Sequence, residues 1–395
     1  MTRPEDGLRL SSASGARQMP DDVRIIDVKF GDSSQNLFQS EGAVRFAVEA
    51  IQALARSGGH HLRIASPVQC LPNLRGQLDI LLGEEGVSWS LTAQEPAAAA
   101  NVQLFVETDQ GDTWLQHAKA TLKVRSGNPG GPTSRSSAGV RIAAARHAAD
   151  KSDRNVSVVR NTASDLGPLL GLAKEKRRTP ESLRRSAGLL RYHASMTGQD
   201  YLGTFPFEEA EFIVATGEDL PLANLVRAGE MAARLVRRHR QNVKLFTFAA
   251  PGTGLLTRRA QEECLTRDII AMPSPPPDVR AALLHCATAA IHPAFHETTY
   301  GAFGFFDAAS VGTPCLIADG PHTRELLEDE PSLADLVFAP YQIDQMQRLY
   351  TAVAQDRERY VNLATASHAR VLRRRSGARV AKALVEAARA ASSRK

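Results

Sequence analysis

His292 to Leu326 reads HPAFHETTYGAFGFFDAASVGTPCLIADGPHTREL, and two of its carboxylates, Glu297 and Asp307, stand ten positions apart. Gly301, Phe303 and Gly304 lie between them, and a Gly-Thr-Pro turn leads on into the apolar run CLIA. The pattern is a strand, a glycine-containing loop, a helix and a second strand. Gly301 and Gly304 let the backbone approach a ligand closely, and the free amides at the start of a helix over FFDAASVG attract an anion. Asp307, within the first turn or two of that helix, complements the helix dipole whether or not it touches a ligand. Glu297 has no such role. At the carboxyl end of a strand, in apolar and aromatic surroundings, an unpaired carboxylate is costly, and a hydroxyl-rich ligand is its economical partner.

The segments before this stretch alternate in the same way. AEFIVAT (210–216), NVKLFTFAA (242–250) and RDIIAM (267–272) read as buried strands, LANLVRAGEMAARLVRRH (222–239) as a helix, and VRAALLHCATAAIH (279–292) as a helix running into a short strand. Nearer the start, VRIIDVKF (23–30) and HLRIASP (61–67) are strands on either side of a helix in EGAVRFAVEAIQALARSGG. Val44, Val48, Ile51, Leu54 and Ala55 fall on one stripe of that helix, with Ser40 as N-cap and Gly58 and Gly59 as its stop. This is a βαβ unit of a parallel sheet. VQLFVET (102–108), ATLKVRS (120–126) and NVSVVRN (155–161) add strands, and SRSSAGVRIAAARHAADK (134–151) reads as a capped helix between the last two. Residues 171–208 break the rhythm with charge, glycine and proline and read as a connector with a helix inside. The expected fold is α/β: two Rossmann-like, doubly wound domains facing a cleft, residues 1–170 and 209–365, followed by a C-terminal helix in 366–395.

At 395 residues the chain exceeds one ordinary core, and 43% hydrophobic with 23% charged residues is globular composition. No apolar run reaches the roughly 18 residues that span a bilayer. MTRPEDGLRLSSASGARQMPDD carries no hydrophobic signal core, so a cytoplasmic location is expected. Cys70, Cys264, Cys286 and Cys315 lack metal-ligand spacing, which leaves no metal site and no disulfide framework and reads as buried thiols. The net charge is +5, with basic clusters at 174–178, 234–240 and 370–375. Solvated helix faces are the ordinary reading and peripheral association with an anionic membrane the other. Nucleic acid is not expected as a partner, since the clusters lack interleaved aromatics and no reader motif appears.

The quoted stretch resembles the donor-site signature of retaining GT-B glycosyltransferases of family 4, in the variant with two extra residues between the paired acids. Acid, glycine-aromatic loop, second acid, Gly-Thr-Pro turn, apolar strand and closing Arg-Glu follow in the expected order. The likeness extends more weakly to SEGAVRFAVEAIQALARSGGHHLRIAS and SVVRNTAS, and to VRAGEMAARLVRRHRQNVKLF in the second half. It implies a nucleotide-sugar co-substrate and no other cofactor or metal. Glu297 would contact the transferred sugar, and Thr298, Thr299, Tyr300, Gly301, Phe303 and Gly304 would line the sugar and diphosphate. Asp307 would hold ribose hydroxyls, Gly42 would belong to the glycine-containing lead into the first helix, and Met272 would border the base.

Three departures stand out. The family carries an arginine and a lysine after the strand matching FIVAT, where they clamp the diphosphate; here GEDLPLANL puts Glu218 and Asp219 near that place. A histidine common after the fourth acceptor-domain strand has no match, Arg125 being nearest and the candidate to compensate for the missing clamp. The second acid is aspartate. Two functions fit this pattern. One is a retaining glycosyltransferase acting on an acceptor that is a saccharide, a lipid-linked molecule, a protein or a small molecule. The other is a catalytically degenerate GT-B protein serving as a binding module or partner subunit.

Overall fold

Short apolar runs and amphipathic helices alternate twice along the chain, and each series closes into its own parallel sheet. The computed structural model describes residues 25–29, 42–58, 61–65, 71–83, 87–92, 102–106, 121–124, 140–143, 156–158, 162–172, 178–217, 224–239, 241–249, 254–273, 275–295 and 303–392. The first series is β1 (Ile25–Lys29), α1 (Gly42–Ser57), β2 (His61–Ala65), α2 (Leu71–Leu82) and β3 (Ser88–Thr92). It continues with β4 (Val102–Val106), β5 (Thr121–Val124), β6 (Val140–Ala143) and β7 (Val156–Val158). These strands lie in the order β3-β2-β1-β4-β5-β6-β7, all parallel, with Val28 opposite both Ile64 and Leu104.

After α3 (Pro180–Met196) the second series runs β8 (Phe212–Ala215), α4 (Leu225–Arg237), β9 (Lys244–Thr247), α5 (Leu255–Glu262), β10 (Ile269–Ala271) and α6 (Pro277–Cys286). Then come β11 (Ala289–His292), α7 (Phe303–Ser310), β12 (Cys315–Ala318), α8 (Pro321–Asp329), β13 (Val337–Phe338) and α9 (Ile343–Gln355). The sheet order is β10-β9-β8-β11-β12-β13, again parallel. Each sheet therefore reverses its winding once, between β1 and β4 and between β8 and β11. The crevice beyond the carboxyl ends at such a reversal is where doubly wound sheets hold ligands.

The chain closes with α10 (Arg357–Arg374) and α11 (Gly377–Ser392), and α11 lies along α1, with Gly377 set close to Ala53. The central strands β8, β11 and β12 are wholly buried, which is why they read as continuous apolar runs. Phe205 and Phe207 pack against Phe212 and Phe246 with ring centroids 5.6 to 6.0 Å apart, tying the segment after α3 to the second sheet.

Several expectations are corrected. Residues 140–143 are not helical: they form β6, held between β5 and β7. The alanine-rich flank favours a helix locally, but a ladder position with a partner strand on each side outweighs that preference. α2 and β3 went unread. The helix expected inside 171–208 is α3: Thr179 and Ser182 form a reciprocal capping box at its start, and Ser182 Oγ lies 2.9 Å from His285 Nε2 of α6. Arg178 is no solvated cation either. It donates to the Ala287 carbonyl at 3.1 Å, where Arg357 joins it at 3.3 Å, so two guanidiniums satisfy the carboxyl end of α6. Cys286 and Cys315 are buried, but Cys264 is exposed at a φ of 50°, and Cys70 lies outside the described residues.

Candidate functional site

At the reversal point of the second sheet the ends of β8 and β11 are stitched together. The Thr216 N–H donates to the Ile291 carbonyl at 2.9 Å, and Thr216 Oγ1 lies 2.9 Å from His292 Nδ1. Both side chains are buried, and the His322 ring stands nearly perpendicular to that of His292, centroids 5.6 Å apart. α7 begins directly on this pair. A Cβ added to Gly304 would stand 2.1 Å from Thr216 Oγ1 and 2.7 Å from His292 Nδ1, so only glycine lets the helix start this close to the strand ends.

One turn further on, Asp307 is 2% exposed and is not left to balance the helix dipole. Its carboxylate accepts two bonds from Arg45 in the first turn of α1, Nη1 to Oδ2 at 2.9 Å and Nη2 to Oδ1 at 2.5 Å. Ser164 Oγ donates to Oδ1 at 2.7 Å, and Arg280 Nη1 of α6 stands 3.6 Å from Oδ2. Burial pushes the Asp307 pKa up, but the charge and hydrogen bonds of Arg45, then Arg280 and Ser164, outweigh it and hold the carboxyl below its usual range. Since α1 follows β1, where the first sheet reverses, this pair brings the two reversal points together.

The chain segment that crosses between the sheets is bonded to both sides. Thr162 donates to Glu49 of α1, the Ala163 N–H to the Arg375 carbonyl at 3.1 Å, and the Leu166 N–H to Ser310 Oγ of α7 at 3.0 Å. His368 Nε2 of α10 lies 2.7 Å from the Ser164 carbonyl, fixing the residue that braces Asp307. A cavity of about 770 Å³ opens beside this segment, lined by one face of α1 and by Arg280, Asp307 and the start of α11. That volume is within the range of small-molecule sites.

Glu49 sits at the inner wall, accepting from Arg45 Nε at 3.3 Å as well as from Thr162. Burial raises its pKa to about 7, against the lowering charge of Arg45 and the bond from Thr162 and with a smaller raising push from Asp307. A raised carboxyl pKa contributes stability that is fully present below the unfolded value near 4.5 and lost as pH rises through about 7. Glu49→Gln is therefore expected to gain stability relative to the parent chain between pH 4.5 and 7, by about 1–3 kcal/mol in urea unfolding. Taking the difference removes the opposite contribution of His285, whose burial lowers its pKa to about 4. A pH-independent difference would show that Glu49 titrates normally.

Of the residues singled out from sequence, Phe303, Gly304 and Asp307 come together at α7, and Gly42 opens α1. The Met272 side chain is buried after β10, with its N–H on the Thr247 carbonyl at 2.8 Å. Glu297, Thr298, Thr299, Tyr300, Gly301 and Arg125 lie outside the described residues, as do Glu218 and Asp219. Glu325 of α8 is buried. Sequence reasoning missed Arg45, Glu49, Ser164 and Arg280. The one available signal was the lone arginine in the otherwise apolar run VRAALLHC. Among the described residues no group of three or more His, Cys, Asp or Glu side chains could hold a metal ion, and no helix is long and apolar enough to cross a membrane.

No protein-family model and no curated protein matches the sequence. Solved structures do match the fold. Sucrose-phosphate synthase from Thermosynechococcus elongatus is 11% identical with a TM-score of 0.61, over 94% of this chain and 100% of that one. A glycosyltransferase from Rickettsia africae is 9% identical with a TM-score of 0.63, over 94% and 99%. HepE of Anabaena, solved in complex with UDP-glucose, is 9% identical with a TM-score of 0.58, over 91% and 98%. The fold defined by the two facing parallel sheets is that of the GT-B glycosyltransferases. At these identities the likeness is one of architecture along nearly the whole chain.

Proposed function

We propose that the protein is a retaining glycosyltransferase that moves a sugar from a nucleotide-sugar to an acceptor hydroxyl. The observation that carries this reading is the placement of α7: its glycine-aromatic start rests on the reversal point of the second sheet, and Asp307 faces a cavity between the two sheets. Among the neighbours sharing this architecture, one is a glycosyltransferase and one a sucrose-phosphate synthase by name, and HepE was solved in complex with UDP-glucose. In the proposed reaction the bond from the anomeric carbon to the diphosphate breaks with its electron pair going to the phosphate oxygen. The acceptor oxygen then bonds to the same face of that carbon, and its proton passes to the departing phosphate. The protein's part is to orient the reactants and to stabilise the leaving charge. On this reading Glu297 would be the residue that contacts the transferred sugar.

A panel of nucleotide-sugars screened by thermal shift tests the reading, because a bound donor gives a stabilisation that grows with its concentration. One nucleotide class is expected to stabilise, and no response to any of them would count against a donor site. Glu297→Gln is expected to abolish transfer while leaving the melting temperature within about 2 °C, in keeping with a surface-like stability effect below 0.5 kcal/mol. Parental turnover in that variant would remove Glu297 from the site.

A further inference from the structure

We infer that the groove along the outer edge of β10 is a second ligand site, built for one unit of a neutral saccharide and separate from the crevice between the sheets. The inference does not depend on the transferase reading, because none of the groove's residues lines the cavity at Asp307.

β10 is an outermost strand of the second sheet and pairs only with β9. Alternate residues of a parallel strand turn their main-chain groups to opposite sides. The Asp268 carbonyl accepts from the Leu245 N–H at 2.7 Å and the Met272 N–H donates to the Thr247 carbonyl at 2.8 Å, so Ile269 and Ala271 turn theirs away from β9. The Ile269 N–H returns to the Leu265 carbonyl at 2.8 Å, and Gln199 Nε2 donates to the Ala271 carbonyl at 3.2 Å. The Ile269 carbonyl and the Ala271 N–H are left without a protein partner among the described residues. Beside this edge, α5 and the turn that carries Gln199 and Tyr201 leave a groove of about 290 Å³, at the small end of ligand sites.

Among the described residues, none of the side chains lining the groove carries a charge, so an ion finds no counter-charge there. Hydrogen-bonding capacity is present in both senses. The Gln261 amide, the Tyr201 and Thr266 hydroxyls and the Gln199 amide oxygen have no partner among the described residues, and the Ala271 N–H and Ile269 carbonyl join them. Leu256, Ala260 and Ile270 supply apolar surface, and the Tyr201 ring, 62% exposed, stands in solvent at the rim. A pyranose has the matching division: hydroxyls that donate and accept around its rim, and C–H faces that lie on an aromatic ring. An added peptide strand fits less well, because Gln199 already occupies the Ala271 carbonyl that a ladder would use. Met272, expected from sequence to border a base, is 2% exposed and does not line the groove. The end of β9 stands between the two cavities. Thr247 and Ala249 line the groove, while Phe248 between them lies under the Arg280 guanidinium at 4.8 Å, and Arg280 lines the cavity at Asp307.

The probes are glucose, galactose, mannose, N-acetylglucosamine and maltose, with uridine and guanosine beside them, titrated against the full chain and read by saturation-transfer NMR. At least one of the sugars is expected to bind. Tyr201→Ala is expected to weaken the preferred sugar at least fivefold and Gln261→Ala about threefold, whereas Tyr201→Phe, which keeps the ring, loses about twofold or less. Both side chains are exposed, so these variants are expected to melt within about 2 °C of the parent. Thr266→Ala, expected to lose about threefold, is read in place of Tyr201→Ala if that variant does not fold. Saturating UDP or GDP is expected to leave the sugar bound. A parent chain that binds none of the sugars overturns the inference. So do folded alanine variants that bind like the parent, or displacement of the sugar by a nucleoside diphosphate, either of which puts the sugar in the crevice. Uridine or guanosine binding that Tyr201→Ala abolishes, with no sugar bound, marks the groove as a base pocket and overturns it as well. Sugar held in the groove by a chain that consumes no nucleotide-sugar would keep this site and remove the transferase reading alone.

Discussion

Asp307→Ala is expected to destabilise the protein by about 3–5 kcal/mol, because it leaves the Arg45 and Arg280 guanidiniums buried beside an empty space. The side chains involved are 3%, 13% and 9% exposed for Asp307, Arg45 and Arg280, so water cannot readily replace the carboxylate. A double-mutant cycle with Arg45→Ala, read by urea unfolding, separates the pair from its surroundings. The double variant is expected to be less damaged than the two single losses summed, with a coupling of about 1–3 kcal/mol. The ribose contact that the resemblance implies for Asp307 would instead make weaker nucleotide binding the main effect. Should the single variant stay within about 1 kcal/mol of the parent, below what breaking a buried pair costs, the bidentate pair would be no strut at all.

The second large effect is Gly304→Ala, a change of one methyl group. That methyl would have to share space with Thr216 Oγ1 at 2.1 Å and with Thr216 Cβ and His292 Nδ1 at 2.7 Å, all held rigidly at the strand ends. Overpacking of this kind costs about 1–3 kcal/mol or more when the neighbours cannot move. Here the neighbour is the junction of β8 and β11, so the upper end is expected, with a matching fall in calorimetric melting temperature. Adding Thr216→Gly removes the two nearest Thr216 side-chain contacts and is expected to restore part of the loss. An unchanged melting temperature in the single variant would mean that α7 can slide off the pair.

The architecture was legible in the second half because its strands are buried on both faces and leave unbroken apolar runs such as FIVA and CLIA. β6 was not legible. Its four residues sit beside a run of alanines whose helical preference is the stronger local signal, and what decides the matter is two partner strands. The same contrast holds at the site. Gly304 and Asp307 announce themselves within ten residues of Glu297, whereas the Arg45 to Asp307 pair joins positions 262 apart. Arg45 shows only an ordinary spacing of four from Glu49 on a helix, the mark of a surface pair. Nothing local distinguishes a guanidinium aimed at solvent from one aimed at another sheet.

The contact of α11 with α1 has a consequence for the order of events during synthesis. The helix that covers α1 is the last one described, and some 320 residues separate Ser57 from Gly377. At about 5–20 residues per second the ribosome takes roughly 16–64 s to cover that interval. Throughout it the first helix lacks the partner for one of its faces, and from the end of β7 onward the amino-terminal sheet has all its strands but not that helix. The seven-stranded unit thus cannot be finished before the six-stranded one has been made. A nascent chain stalled anywhere in between leaves that helix face for chaperones to cover.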